Sequence, residues 1–278
     1  MKFINEERIM TNYICATCGV QYGETNTPPE HCLICEDERQ YIGAKGQRWT
    51  TIPELQAQYH NRIEDIDPNL TGIGTVPGFA IGQRALLVQT PNGNVLWDCV
   101  SLLDDATVEA IRARGGISAI AVSHPHTIGS IVEWSHAFGN IPIYWHADNR
   151  EWVMREDPAY TFWAGETYSL IEGLTLIHCA GHFPGSTVLH WSDGAEGRGA
   201  LLVGDTMTVA QDRRYVSFMY SYPNLIPLNA RSVERIVQAV EPFDFDRIYG
   251  GWWDYLVASD AKSAVKRSAE RYIQAISL

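Results

Sequence analysis

His124-Pro125-His126-Thr127-Ile128-Gly129 follows directly on Ser123 and the apolar run Ile117–Val122, and its reading decides the fold. The run is a short buried strand, so two histidines stand where the chain leaves a sheet. Alternate residues of an extended segment face one point and the proline favours extended backbone, so His124 and His126 are expected to share one ion. Two further stretches repeat the arrangement. His182 lies in Gly181-His182-Phe183-Pro184-Gly185-Ser186 behind the strand-like run Leu174–Cys179, and Asp205 lies in Gly204-Asp205 behind Leu201-Leu202-Val203. Three imidazoles, a carboxylate and an open position suit a catalytic zinc site.

Around these stretches strands and helices alternate. Gly78–Gln89 and Val95–Val100 read as strands joined through Pro91-Asn92-Gly93-Asn94, an Asn-Gly hairpin turn. Asp105–Arg114 carries apolar residues at helical spacing and stops at Gly115-Gly116. Ile128–Phe138 and Ala147–Met154 read as helices with the strand Ile141–Trp145 between them. Glu166–Leu170, Leu174–Cys179, Ser186–Trp191 and Ala200–Val203 read as short strands, and Ser232–Val240 and Ala261–Ile276 as late helices around the strand Arg247–Tyr249.

The order of Leu96-Trp97-Asp98, His124-Pro125-His126, the His182 stretch and Leu202-Val203-Gly204-Asp205 resembles the metallo-β-lactamase superfamily, along nearly all of residues 70–278. The resemblance implies an α/β fold, a four-layer αβ/βα sandwich with the metal site at one edge of two facing sheets, and Asp98 buttressing that site from behind. Departures from the family pattern are equally informative. Its first motif runs HxHxDH, but Ile128 and Gly129 stand where the aspartate and second-site histidine belong, and Tyr249-Gly250-Gly251-Trp252 lacks the family's last histidine. Joint loss of those ligands beside an intact first set implies a one-metal site at His124, His126 and His182, with Asp205 as a fourth ligand or as the base over a bound water.

The cysteines divide the chain. Cys15-Ala-Thr-Cys18 and Cys32-Leu-Ile-Cys35 are two CxxC pairs with thirteen residues between them, the spacing of two facing metal knuckles, and Gly19 supplies a permissive backbone for the first. Residues 11–45 therefore read as a four-cysteine module resembling zinc ribbons and rubredoxin-like knuckles. Residues 46–69 read as a linker with a short helix around Ile52–His60, and residues 70–278 as the main domain. Cys99 and Cys179 read as buried thiols, and His136, His146, His178 and His190 as structural or surface residues.

The 278 residues are 45% hydrophobic and 19% charged, which supports one large core beside a small one. A net charge of -12 argues against nucleic acid or an anionic membrane as partner. The opening MKFINEERIM lacks the long apolar core of a signal peptide, and no run reaches the roughly 20 apolar residues of a spanning helix, so a soluble cytoplasmic protein is expected. The first nine residues read as an upstream extension or a cloning remnant. The 11% aromatic content would suit a homodimer interface.

The expected function is hydrolysis of a small ester, thioester, lactone or amide by a water activated on a single zinc, with a second zinc structural in the cysteine module. Phe183, Tyr220, Tyr222 and Trp252, with Trp253, are expected to wall the substrate pocket, and Tyr220 or Tyr222 to donate to a developing oxyanion. The alternative is a catalytically degenerate domain that binds a ligand or partner. A third reading, iron-dependent oxidoreduction, is disfavoured by the missing second-site ligands.

Overall fold

The computed structural model describes residues 10–277, so the opening nine residues, read as an extension, lie outside the described residues. The first sheet has seven strands in chain order: β1 (His60–Asp67), β2 (Leu70–Val76), β3 (Arg84–Val88), β4 (Val95–Trp97), β5 (Ala119–Ala121), β6 (Ile143–His146) and β7 (Tyr160–Trp163). β1 to β4 are antiparallel neighbours, and β4 to β7 are parallel. Parallel neighbours need a crossover, which α1 (Asp105–Arg112) and α2 (Ile131–Ala137) supply. The second sheet runs β8 (Thr167–Ile171), β9 (Leu174–His178), β10 (Thr187–Trp191), β11 (Ala200–Leu202), β12 (Arg247–Tyr249) and β13 (Leu256–Val257). The helices α3 (Ala230–Val240) and α4 (Ala261–Ile276) complete the chain.

Successive side chains of a strand point to opposite faces, and this sorts the core into layers. In β3, Leu86 and Val88 join Trp97, Leu176, Leu189 and Leu202 between the two sheets. Ala85 and Leu87 face the other way, into a cluster with Leu96, Ile111 and Trp134 that α1 and α2 cover. On the outer face of the second sheet, Ile177, Val188 and Leu201 pack against Val233 and Ile236 of α3 and Val265 of α4. Three apolar clusters separating helix, sheet, sheet and helix make the expected four-layer αβ/βα sandwich.

Residues 46–69 do not form a linker. Trp49–Thr50 pairs with Ile14–Cys15 of the cysteine module, Ile52–Gln56 is a helix with a capping box at Thr51 and Glu54, and His60–Asp67 is an edge strand of the first sheet. That strand carries His60, Arg62, Glu64 and Asp65 on a mostly exposed edge, so it has no apolar pattern to betray it. The strand expected over Gly78–Gln89 begins only at Arg84, because residues 79–82 form a turn closed by the Gly82 amide on the Phe79 carbonyl. The segment expected as a helix over Ala147–Met154 is a 3-10 helix, Ala147–Trp152.

The cysteine module is not a separate body. Cys15, Cys18, Cys32 and Cys35 belong to the same apolar cluster as Leu96, Ile120 and Trp145. Gly19 has a φ of 82° and lies so close to the main domain that a Cβ would stand 2.6 Å from the Ser101 hydroxyl. Its carbonyl accepts from that hydroxyl at 2.6 Å, and the Gly129 carbonyl accepts from the Gln21 amide at 3.0 Å.

Candidate metal centre

His124 ends the loop after β5 with extended backbone, but Pro125–Thr127 is a turn of 3-10 helix rather than extended chain. The correction has a simple cause: proline restrains the residue before it to extended backbone, while its own φ suits the first position of a helical turn. The tight turn, not strand alternation, brings His126 beside His124. Gly181–Ser186 delivers His182 after β9, and Val203–Asp205 delivers the carboxylate after β11.

The four groups converge, each no more than 5% exposed. His182 Nε2 lies 3.4 Å from His126 Nδ1, His124 Nε2 lies 3.4 Å from Asp205 Oδ2, and His182 Nε2 lies 3.8 Å from the same oxygen. Ligands about 2.0–2.1 Å from one zinc in tetrahedral array stand roughly 3.3–3.4 Å apart, so these spacings match a shared ion. His124 Nε2, His126 Nε2 and Asp205 Oδ1 are buried without a hydrogen-bond partner among the described residues. Buried polar atoms are rarely left that way, and a cation held by the cluster would account for its shape and give His124 Nε2 a partner. The donor set, three imidazoles and a carboxylate, fits a divalent ion.

Behind the histidines a directed chain of hydrogen bonds sets their tautomers. With Nε2 of His124 facing the centre, its Nδ1–H donates to Ser123 Oγ at 2.8 Å; that hydroxyl donates to Thr127 Oγ1 at 3.1 Å, and Thr127 donates to Asp98 Oδ1 at 2.7 Å. Asp98 also accepts from the Ser123 amide at 2.8 Å. Asp98 thus buttresses the site through two hydroxyls, without touching a histidine nitrogen. Burial pushes Asp98 up to about 6 even though His124 and these donors pull it down. His182 Nδ1 donates to the Met219 carbonyl at 3.1 Å, freeing its Nε2.

Burial, then the neighbouring His124, lowers His182 to about 3, and burial likewise holds His126 well below the ordinary histidine range. Burial works against ionisation of Asp205, but His124 and His182 outweigh it and keep the carboxyl below its usual value. The cluster is therefore two neutral imidazole donors and an ionised carboxylate around His124.

At the first motif the positions of the missing ligands are closed, whereas in the late loop a Cβ on Gly251 would meet open space. Ile128 packs in the core with Ile131 and Val132, and a Cβ on Gly129 would lie 2.6 Å from the Val100 carbonyl carbon. A Cβ on Gly250 would lie 2.9 Å from the Tyr255 side chain. Nothing larger than glycine fits at Gly129 without moving backbone.

Of the pocket residues, Phe183 packs on all three histidines, with ring centres 4.9 Å from His126, 5.1 Å from His182 and 6.0 Å from His124. The Tyr222 ring lies 5.7 Å from His182, but its hydroxyl donates to the Asp205 carbonyl at 3.2 Å, and the Tyr220 hydroxyl donates to Glu38 at 2.6 Å. Each hydroxyl has one hydrogen and has already given it, so neither is placed as an oxyanion donor. Trp252 donates to the Ile81 carbonyl at 3.0 Å and lies tilted against Tyr255, while Trp253 lies over Gly72 and Gly74 of β2, so neither indole joins the histidines. Ser123, Thr127 and Met219 were not anticipated as supporting groups; the hydroxyls flanking the His-Pro-His step were the available signal.

The four histidines expected to be structural or surface residues have partners of their own. His136 meets Asp157 at 2.9 Å, and His190 donates to the Asp244 carbonyl at 2.8 Å. His146 and His178 stack at 3.8 Å, and His178 Nε2 donates to the Pro184 carbonyl at 2.7 Å, steadying the loop that carries His182. Cys99 and Cys179 are buried free thiols.

In the cysteine module, Cys15 and Cys35 sulfurs are 3.5 Å apart and Cys18 and Cys32 sulfurs 3.7 Å apart. Four thiolates about 2.3 Å from a zinc would stand roughly 3.8 Å apart, so these four also fit one ion. Gln47 Nε2 donates to Cys15 Sγ at 3.1 Å and the Tyr22 hydroxyl to Cys32 Sγ at 3.3 Å, support of the kind that surrounds bound thiolates. No helix among the described residues is long and apolar enough to cross a membrane.

Comparison with known proteins agrees with this architecture. The chain is 51% identical over 269 residues to the uncharacterized protein YmaE of Bacillus subtilis (strain 168), covering 96% of this chain and 97% of that one. Its fold is similar to the crystal structure of VMB-1, at a TM-score of 0.59 and 15% identity over 79% of this chain and 99% of that chain. The DIM-1 metallo-beta-lactamase gives a TM-score of 0.58 and 15% identity over 79% of this chain and 100% of that one. A family profile described as the metallo-beta-lactamase superfamily matches residues 80–252, more than half of the chain, and the protein belongs to that superfamily.

Proposed function

We propose that the protein is a metal-dependent hydrolase of a small ester, thioester, lactone or amide, working through one zinc at His124, His126, His182 and Asp205. The observation that carries this reading is the convergence of four buried side chains whose ligand atoms lie against one another, with His124 Nε2 hydrogen-bonded to nothing among the described residues. A divalent ion held there would supply a Lewis acid for the substrate carbonyl and bring the pKa of a water towards about 7.

The chain's own groups do the rest. Asp205, kept ionised by its histidine neighbours, offers Oδ1 as the oxygen that orients a water and takes its proton. Phe183 and the Tyr222 ring keep bulk solvent from the histidines, which strengthens every charge interaction inside. Asp98, Ser123 and Thr127 hold His124 in one tautomer throughout. With Ile128 and Gly129 in place of second-site ligands, the reading is a one-ion centre.

Metal analysis with a hydrolysis screen tests it. The full chain should carry two ions, one at the histidines and one at the cysteines, and His182→Ala should lose the first together with turnover. Undiminished hydrolysis by the metal-free variant would sink the mechanism. An ion at the cysteines alone would favour instead a degenerate binding domain, a reading that the closed second site supports.

A further inference from the structure

The segment just after the second cysteine pair leaves its module and reaches the metal centre. Asn224 Nδ2 donates to the carbonyls of Glu38 at 2.9 Å and Gln40 at 2.8 Å, and Ser221 Oγ donates to that of Arg39 at 3.0 Å. The same loop carries the Met219 carbonyl that fixes His182. Arg39 is thereby held at the histidines' edge. Its guanidinium carbon lies 4.3 Å from the centre of the Phe183 ring and 4.5 Å from that of Tyr220, a cation between two aromatic walls. Phe183 is the ring that packs on His124, His126 and His182.

The guanidinium is rigid but not satisfied. Nη1 donates to both carboxylate oxygens of Asp37, each at 2.8 Å, and Glu38 is taken by Tyr220. Nε is buried and donates to nothing among the described residues. Leaving a buried donor unpaired costs about 1–3 kcal/mol, and more for a charged group. A ligand acceptor that reached Nε would remove that cost.

Resting on the metal-centre reading above, we propose that Arg39 determines specificity by receiving a carboxylate of the substrate, while the histidine–aspartate centre acts on a carbonyl a few bonds away. A planar, pre-placed guanidinium suits a carboxylate better than any other group in the chain's wall of this site. The cysteine module then forms part of the binding site, and its ion positions a specificity-determining residue.

The test is calorimetric titration of the zinc-loaded full chain with thiols that anchor on the ion. Mercaptoacetate, 3-mercaptopropionate and 4-mercaptobutyrate are compared with 2-mercaptoethanol, 3-mercaptopropanol and 4-mercaptobutanol. At least one acid should bind about 10-fold more tightly than its matching alcohol, the scale of one charge-assisted contact. Arg39→Met, which keeps a side chain between Phe183 and Tyr220, should abolish that preference and leave the alcohols within about twofold; Arg39→Lys, the second variant, should retain part of it. No preference in the wild-type protein, or a preference unchanged in these variants, overturns the assignment to Arg39 and leaves the metal centre standing. Failure of every thiol to bind protein shown by metal analysis to be loaded at the histidines overturns the metal-centre reading and this proposal with it.

Discussion

His124 Nδ1 stands 2.8 Å from the Ser123 hydroxyl, and this contact decides which face of the imidazole meets the metal centre. Because Ser123 passes its own hydrogen to Thr127, and Thr127 to Asp98, the chain has one direction, and it leaves the lone pair on Nε2. Breaking it at a distance from the ion isolates its contribution. Thr127→Val, nearly the same shape, should weaken zinc binding at the histidines by about 10–100-fold without unfolding the protein, the usual effect of losing support behind a ligand. Chelator competition reads the affinity, and an unchanged constant would show the relay to be idle.

Gly129 explains why the second metal half-site is lost rather than dormant. A Cβ there would press on the Val100 carbonyl in a backbone with a φ of 51°. Gly129→Ala should cost about 2–4 kcal/mol in denaturant unfolding, combining left-handed strain with a backbone clash. Restoring the family residues with Ile128→Asp and Gly129→His should yield a less stable protein that still binds one ion at this centre. Two ions there by metal analysis would contradict the steric argument.

The cysteine module shares an apolar cluster with the first sheet, so it should not unfold alone. Cys15→Ser should remove its ion and lower the melting temperature of the whole chain by roughly 6–20 °C, taking a loss of about 3–5 kcal/mol at about 2–4 °C per kcal/mol. Scanning calorimetry should show one transition in both proteins. Two separate transitions would mean an independent module.

Acid should destabilise the metal-free protein from about pH 6.5 downward, above the range in which ordinary carboxylates are neutralised. His182, lowered to about 3, and His126, lowered well below its ordinary value near 6.5, bind fewer protons folded than unfolded, so each loses stability as pH falls below about 6.5. Asp98, raised to about 6, has the opposite sign and gains stability between about pH 6 and 4. Two histidines against one aspartate leave a net loss of stability as pH falls through that window. His182→Gln should flatten the profile of unfolding free energy between pH 6.5 and 4; an unaltered slope would place the titration elsewhere.

Read alone, the sequence determined which donors the chain owns and in what order it presents them: His124 and His126 after one strand, His182 after another, Asp205 after a third, and four cysteines in two pairs. It also determined the loss of the second half-site, since Ile128 and Gly129 can ligate nothing. These are local properties: a ligand's chemistry, a proline's φ and an apolar strand are written in neighbouring residues. Only the tertiary structure decided the rest. The edge strand His60–Asp67 is polar because one side of it meets water, so hydropathy could not find it. The turn at Pro125 depends on packing that closes Asp98, Ser123 and Thr127 into one network. Above all, Arg39 reaches Phe183 and Tyr220 because the cysteine module docks on the main domain, and contacts between residues far apart in the chain leave no periodic trace in either partner.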